Sequence, residues 1–238
     1  MKITILQLPA TWNQKREMLD FVTTALDSGP AADLVVLPEA SLTGYISPKF
    51  ETDLSAFAEP IDGPTVAEVR AIAAKYNCKI LAPLIERSGE LTFNSMVGVS
   101  PEPTPWAHYR KRNPWYVETW ATPGDRPWPI IDIGGIRATI AMCFDVHFLE
   151  AKAAHVLSAI DALLLPSAWV DEHDTLPSIL SSLARRFGIT ILNANWGPGT
   201  PALSGQGGSM VVNHLGEIER RLSPDEFRID ATIEAKTR

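Results

Sequence analysis

Cysteine is scarce in this chain, with two thiols, Cys78 and Cys143, among 238 residues. Two cysteines permit one disulfide at most, so a disulfide framework is excluded as the source of stability, and each thiol needs its own explanation. Long apolar runs are missing too. Crossing a bilayer takes about 20 such residues, and prolines or charges interrupt every candidate well short of that, so no membrane span is expected. A basic run of the kind nucleic-acid binders carry is lacking as well: the formal net charge is -7, and the lysines and arginines are scattered among acids, which argues against a nucleic-acid partner. The opening KITILQL is too short for the apolar core of a signal peptide and runs straight into polar TWNQKRE, so the expected location is the cytoplasm. No fixed-period repeat, low-complexity tract or glycine/serine linker divides the sequence.

Apolar material is plentiful. A hydrophobic content of 45%, with 8% aromatic residues, can bury a large core, and one domain over residues 1–238 is expected. Short β-branched or leucine-rich runs read as strands: KITILQ, DLVVLP, CKILAPL, NSMVGV, WPIIDI, RATIAM, ALLLPS, ITILNA, SMVVN and FRIDATI. Several are almost continuously apolar, as a strand covered on both faces requires. Between them, apolar positions at three- and four-residue steps predict helices over residues 13–26, 65–75, 148–160 and 176–187. Asp62, Gly63 and Pro64 punctuate one helix start, and Gly188 one helix end. Residues 101–129, rich in proline, tryptophan and charge, read as a long irregular connection, and the tail after Ile233 is expected to fray.

Three positions combine into chemistry. Cys143 ends the apolar run RATIAM and precedes the helical pattern, so its thiol projects from a strand-to-helix junction. Unpaired backbone N–H groups at a helix start lower a thiol's pKa and bind an oxyanion, although a buried cysteine acting as a small hydrophobe has the same local sequence. Glu39 follows directly on the interior strand DLVVLP, where burial raises a carboxylate's pKa toward the range of a general base; a capping or salt-bridged glutamate would look the same in sequence. Lys111 stands in HYRKRNPW between Arg110 and Arg112, and in isolation a solvated basic turn explains it equally well.

Taken together, PEASLTGY, YRK and MCFDVHF resemble the nitrilase, or carbon–nitrogen hydrolase, superfamily. KITILQLPATW, FNSMVGV, LLLPSAW, ILNANWG and SGQGGSMVVNHLGE extend that resemblance in order along nearly the whole chain. The resemblance implies Glu39 as base, Lys111 as oxyanion stabiliser and Cys143 as nucleophile, with Glu118 as a second, positioning glutamate and the backbone N–H of Phe144 as an oxyanion donor. It implies a four-layer α-β-β-α sandwich, a thioester mechanism needing neither metal nor organic cofactor, a small-molecule amide substrate, and a homodimer or larger homo-oligomer. An amidase is favoured over a nitrilase because CFD, not a tryptophan followed by glutamate, surrounds the nucleophile. An N-carbamoyl amide hydrolase also fits the resemblance, and so does a catalytically inactive homologue that binds a ligand. The sequence departs from many family members in carrying His147 where arginine is common and Leu149 where proline is. Trp115, Tyr116, His147, Trp169 and Trp196 are candidates for the substrate pocket, as is Trp120. Cys78 reads as core, and His108, His155, His173 and His214 have no metal-binding spacing.

Overall fold

Side-chain alternation fixes how the first sheet faces its neighbours. In the computed structural model, which describes residues 1–236, β1 (Lys2–Leu6), β2 (Leu34–Val36), β3 (Lys79–Ser88), β4 (Leu91–Val99), β5 (Ala107–Arg110) and β12 (Arg228–Thr232) pair in the order β12-β1-β2-β3-β4-β5. β1, β2 and β3 are parallel, and the remaining pairs antiparallel. Ile3, Ile5, Leu34, Val36, Met96 and Tyr109 face one way, into a core shared with a second sheet. Leu6, Val35, Ile80, Ala82 and Val97 face the other way, onto α1 (Lys15–Asp27) and α2 (Pro64–Tyr76).

The second sheet repeats the plan. β6 (Ile131–Ile133), β7 (Ile136–Ile140), β8 (Ala162–Ser167), β9 (Thr190–Asn195), β10 (Met210–Val212) and β11 (Ile218–Arg221) follow the order β11-β10-β9-β8-β7-β6, with β7, β8 and β9 parallel at the centre. Every residue of β8 is buried, as its unbroken apolar run predicts. Leu149, Ala153 and Val156 of α3 (Val146–Leu157) and Leu180, Leu183 and Ala184 of α4 (Leu176–Phe187) join its core from outside. Helix, sheet, sheet and helix are therefore stacked, the expected α-β-β-α sandwich.

Boundaries follow local chemistry. Pro64 opens α2, where its fixed φ suits a first turn and its missing N–H costs nothing, and Asn77 ends it in the left-handed region. α4 spans the expected residues and stops at Gly188 (φ +59°). α1 starts two residues late because Asn13 sits at φ +54°. α3 starts two residues early, at Val146, because a one-turn 3-10 segment, Cys143–Asp145, leads directly into it.

Two strands lack a signal in the sequence. Residues 101–129 hold β5, whose four residues alternate buried Ala107 and Tyr109 with half-buried His108 and Arg110. A run that short acquires its strand character from pairing with β4 and not from its own composition. β11 is exposed throughout, and its IERR sequence is that of a charged sheet edge. Beyond Ile233, the backbone N–H of Lys236 donates to Oδ1 of Asp161 at 3.3 Å. The remainder of the segment expected to fray, residues 237 and 238, lies outside the described residues. No helix among the described residues is long and apolar enough to cross a membrane.

Candidate active site

The parallel strands deliver the chemistry at their carboxyl ends, where ligand sites of open α/β sheets commonly sit. Glu39 follows β2 by three residues, Cys143 follows β7 by three, and Ala168 comes directly after β8. Lys111 comes directly after β5, on the same inward face as Tyr109. The two sheets meet here: the backbone N–H of Ala168, from the second sheet, donates to Oε2 of Glu39, from the first, at 3.0 Å.

Lys111 occupies the centre. Its ammonium donates to Oε1 of Glu39 at 2.7 Å and to Oε2 of Glu118 at 2.6 Å, and the residue is only 1% exposed. Asn94 Nδ2 bridges the same two carboxylates, donating to Glu39 Oε1 at 2.8 Å and Glu118 Oε1 at 2.5 Å. Glu118 is fixed further by the backbone N–H of Trp115, which donates to its Oε2. The three charged residues named from sequence thus form one buried cluster with Glu118 included, and Asn94 is an addition. Its signal was available: an amide inside the apolar run LTFNSMVGV, two residues before inward-facing Met96, needs a buried polar partner.

Charge governs protonation in this cluster. Burial works against the Lys111 ammonium, but Glu39 and Glu118 outweigh it and hold its pKa well above that of an ordinary lysine. Burial and the negative charge of Glu39 raise the Glu118 pKa, although Lys111 opposes them. Burial also pushes the Cys143 thiol well up, with Glu39 adding to the shift and Lys111 countering it. That corrects one expectation, because the helix start does not give Cys143 a low pKa: desolvation and two carboxylates outweigh the first-turn amides. Cys143 adopts φ +42° and Ala40 φ +50°, so the backbone is in the left-handed region at the nucleophile candidate and beside the base candidate. Gly44, with φ +91°, closes the turn after Glu39, and a Cβ there would lie 2.0 Å from the Thr11 carbonyl oxygen. Only glycine fits.

A pocket of about 90 Å³ opens onto Cys143, walled by Trp115, Phe144, His147, Ala168, Trp169 and Val170. The His147 ring stands 5.2 Å from that of Phe144 and 5.6 Å from that of Trp169, and burial lowers its pKa, which leaves the wall uncharged near neutral pH. Trp115, His147 and Trp169 are where the sequence suggests. Two other candidates are not. Tyr116 is 80% exposed, its ring 5.4 Å from that of Phe144, and Trp196 is buried away from the pocket lining, its indole N–H donating to the Trp169 carbonyl at 2.9 Å. Trp196 is core because its polar edge finds a backbone partner there. Trp120 packs against a small apolar cluster of Ala40, Tyr45, Ala168 and Trp196 without lining the pocket. Cys78 lies in the core under α1 and α2, as expected, with its pKa pushed up to about 11 by burial. Among the described residues, no three His, Cys, Asp or Glu side chains form a group that could hold a metal ion.

Two stacked mixed sheets between helices, with a thiol, two carboxylates and an ammonium at the strand ends, define the class of protein. The family model described as carbon-nitrogen hydrolase matches residues 2–237, and the chain belongs to that family. A nitrilase of Pyrococcus abyssi is 33% identical over 144 residues, 59% of this chain and 53% of that protein. A probable nitrilase of Schizosaccharomyces pombe is 22% identical over 215 residues, 89% of this chain and 78% of that protein. The NitN amidase of Nesterenkonia sp. AN1 has the same fold, with a TM-score of 0.86 at 24% identity, over 98% of this chain and 93% of that one. A CN-hydrolase superfamily protein of Xanthomonas campestris gives 0.84 at 22% identity, over 99% and 91%.

Proposed function

We propose that this carbon–nitrogen hydrolase is an amidase that releases ammonia from small, uncharged amides with an apolar or aromatic acyl group, through a thioester on Cys143. The observation that carries the reading is Lys111, held 2.7 Å from Glu39 and 2.6 Å from Glu118 beside a pocket that ends at Cys143.

The chemistry follows from the charges. Two carboxylates and one ammonium leave the resting cluster with a net charge of minus one, and ionising Cys143 into bulk water would add a second buried negative charge. Passing the thiol proton to Glu39 avoids this, because the total is unchanged. The sulfur then attacks the amide carbon, and the oxyanion that forms meets the Lys111 ammonium and the backbone N–H of Phe144 in the first turn after the nucleophile. Glu39 returns the proton to the leaving nitrogen as the C–N bond breaks. Ammonia departs, and the acyl group stays on Cys143. Water then gives a proton to Glu39 and its oxygen to the thioester carbon. Cleavage of the C–S bond frees the acid, and Glu39 reprotonates the sulfur.

Substrate class follows from the wall. Trp115, Phe144 and Trp169 offer apolar surface, His147 is neutral, and no lysine or arginine among the described residues lines the pocket to pair with a carboxylate substituent. A variant of the Nesterenkonia amidase carries the acetamide moiety of fluoroacetamide at its active-site cysteine, which supports the same covalent route here. Other relatives are a formamidase of Pseudomonas syringae and a beta-ureidopropionase of Arabidopsis thaliana, so carbamoyl compounds belong in the test. Ammonia release should be measured for a panel of aliphatic and aromatic amides, glutamine, N-carbamoyl compounds and nitriles, with the intact protein and with Cys143→Ala. Faster turnover of apolar amides than of glutamine, abolished by the substitution, supports the reading. Carbon dioxide appearing with ammonia, or consumption of nitriles alone, refutes the amidase assignment.

A further inference from the structure

Two residues beyond Cys143 lies a buried carboxylate that no cation among the described residues bonds. Asp145 is fully buried, and its oxygens accept four hydrogen bonds. Oδ2 accepts from the Tyr109 hydroxyl at 2.6 Å and the Met142 backbone N–H at 3.1 Å; Oδ1 accepts from both the backbone N–H and the Nδ2 of Asn113 at 2.8 Å. Met142 immediately precedes Cys143. Tyr109 and Asn113 stand two residues before and two residues after Lys111.

We infer that Asp145 is a positioning residue, which sets the distance between the Cys143 thiol and the Lys111 ammonium by strapping the turn that carries one to the segment that carries the other. The two segments belong to different sheets, β5 in the first and the end of β7 in the second, so no shared sheet ladder fixes their separation. A carboxylate is the side chain that can do this, because all four surrounding groups are donors. Asparagine would turn an NH₂ group toward at least one N–H donor whichever way its amide pointed, that of Met142 on one side or the two of Asn113 on the other. The strap also bears on the unusual φ of +42° at Cys143, since it holds the residues on either side of that strained position. Lys152 completes the assembly by donating to Oδ1 of Asn113 at 3.1 Å, which orients the amide whose Nδ2 faces Asp145.

The inference rests on the amidase reading only for its turnover measurement; thiol alkylation tests it without any substrate. In Asp145→Asn, kcat for the best amide is expected to fall about 100-fold, the scale of an ångström of misplacement, with KM changed by less than about threefold. Iodoacetamide modification of Cys143 is expected to change its rate and its pH profile, while Cys78 stays as in the wild type. Should that variant not fold, Tyr109→Phe and Asn113→Ala each remove one donor and keep the carboxylate, and each is expected to lower kcat about tenfold. Altered Cys143 alkylation in a protein that releases no ammonia from any amide would sink the amidase reading and leave the strap standing. Wild-type kcat and alkylation in a folded Asp145→Asn or Tyr109→Phe, or losses that merely track the folded fraction, overturn the inference.

Discussion

Lys111 places its ammonium 2.7 Å from Oε1 of Glu39, with both side chains wholly removed from solvent. Taking two charges out of water is costly, and their attraction, helped by Glu118, Asn94 and the Ala168 N–H, must offset that cost. Removing one partner is therefore far worse than removing the pair. Lys111→Met leaves two carboxylates facing each other across a dry gap and is expected to destabilise the fold by about 3–5 kcal/mol. For a chain of this size that lowers the melting temperature by about 10 °C, which calorimetry can read, and turnover is lost even where the variant is fully folded.

Glu118 acts on Cys143 through charge. The carboxylate adds to the upward shift of the thiol, so Glu118→Gln is expected to move the alkylation profile of Cys143 toward lower pH. The same substitution sets a donor amide against Asn94 Nδ2 or the Trp115 N–H, so ammonia release is expected to drop about 10- to 100-fold although the thiol ionises more readily. A more acidic Cys143 with full activity would show that Glu118 has no positioning role.

Much of this site is legible in the sequence, for a physical reason. Lys111 is singled out only by the family resemblance, but Cys143 and Glu39 each follow a strand whose apolar run is unmistakable. A charged or reactive residue in such a place costs folding free energy unless it has a task or a partner. Asn94 and Asp145 carry the same signal more faintly, a polar side chain inside an apolar stretch, but Glu39 lies 55 residues from Asn94 and Tyr109 lies 36 residues from Asp145; the first pair meets when the strands of one sheet assemble, the second when the two sheets stack. β5 and β11 are illegible because four residues carry too little periodicity. The direction of the thiol's pKa is hidden for a different reason: local sequence reveals a helix start but not the carboxylates that tertiary structure brings beside it.

On the outer face of the first sheet, Glu86 accepts from Ser95 at 2.6 Å, His108 at 2.7 Å and Arg110 at 2.5 Å. Burial disfavours its charge, but these bonds outweigh burial and lower its pKa to about 2. A carboxylate depressed on folding contributes stability above its unfolded pKa, near 4.5, and loses that contribution as pH falls toward 2. The wild type should therefore lose on the order of 3 kcal/mol from this group across that interval, and Glu86→Gln should flatten that part of the stability-versus-pH curve. Urea titrations at pH 5, 4 and 3 suffice; parallel curves for the two proteins would contradict the assignment.

His147 sets the width of the pocket between Phe144 and Trp169. In His147→Ala the ratio of kcat/KM for a bulky aromatic amide to that for a short aliphatic amide should rise by about tenfold, the scale of a small change in an apolar pocket. Competition between the two amides in one reaction measures this ratio directly, and an unchanged ratio would place the acyl group elsewhere.

The most direct test of the thioester account is to quench the protein in acid during turnover of its best amide and map the acyl adduct by peptide mass spectrometry, beside ammonia release from Cys143→Ala. The account predicts one acyl group, on the Cys143 peptide, and no ammonia from the variant. Ammonia released at the wild-type rate by Cys143→Ala, or an acyl group found only on Cys78, would contradict it.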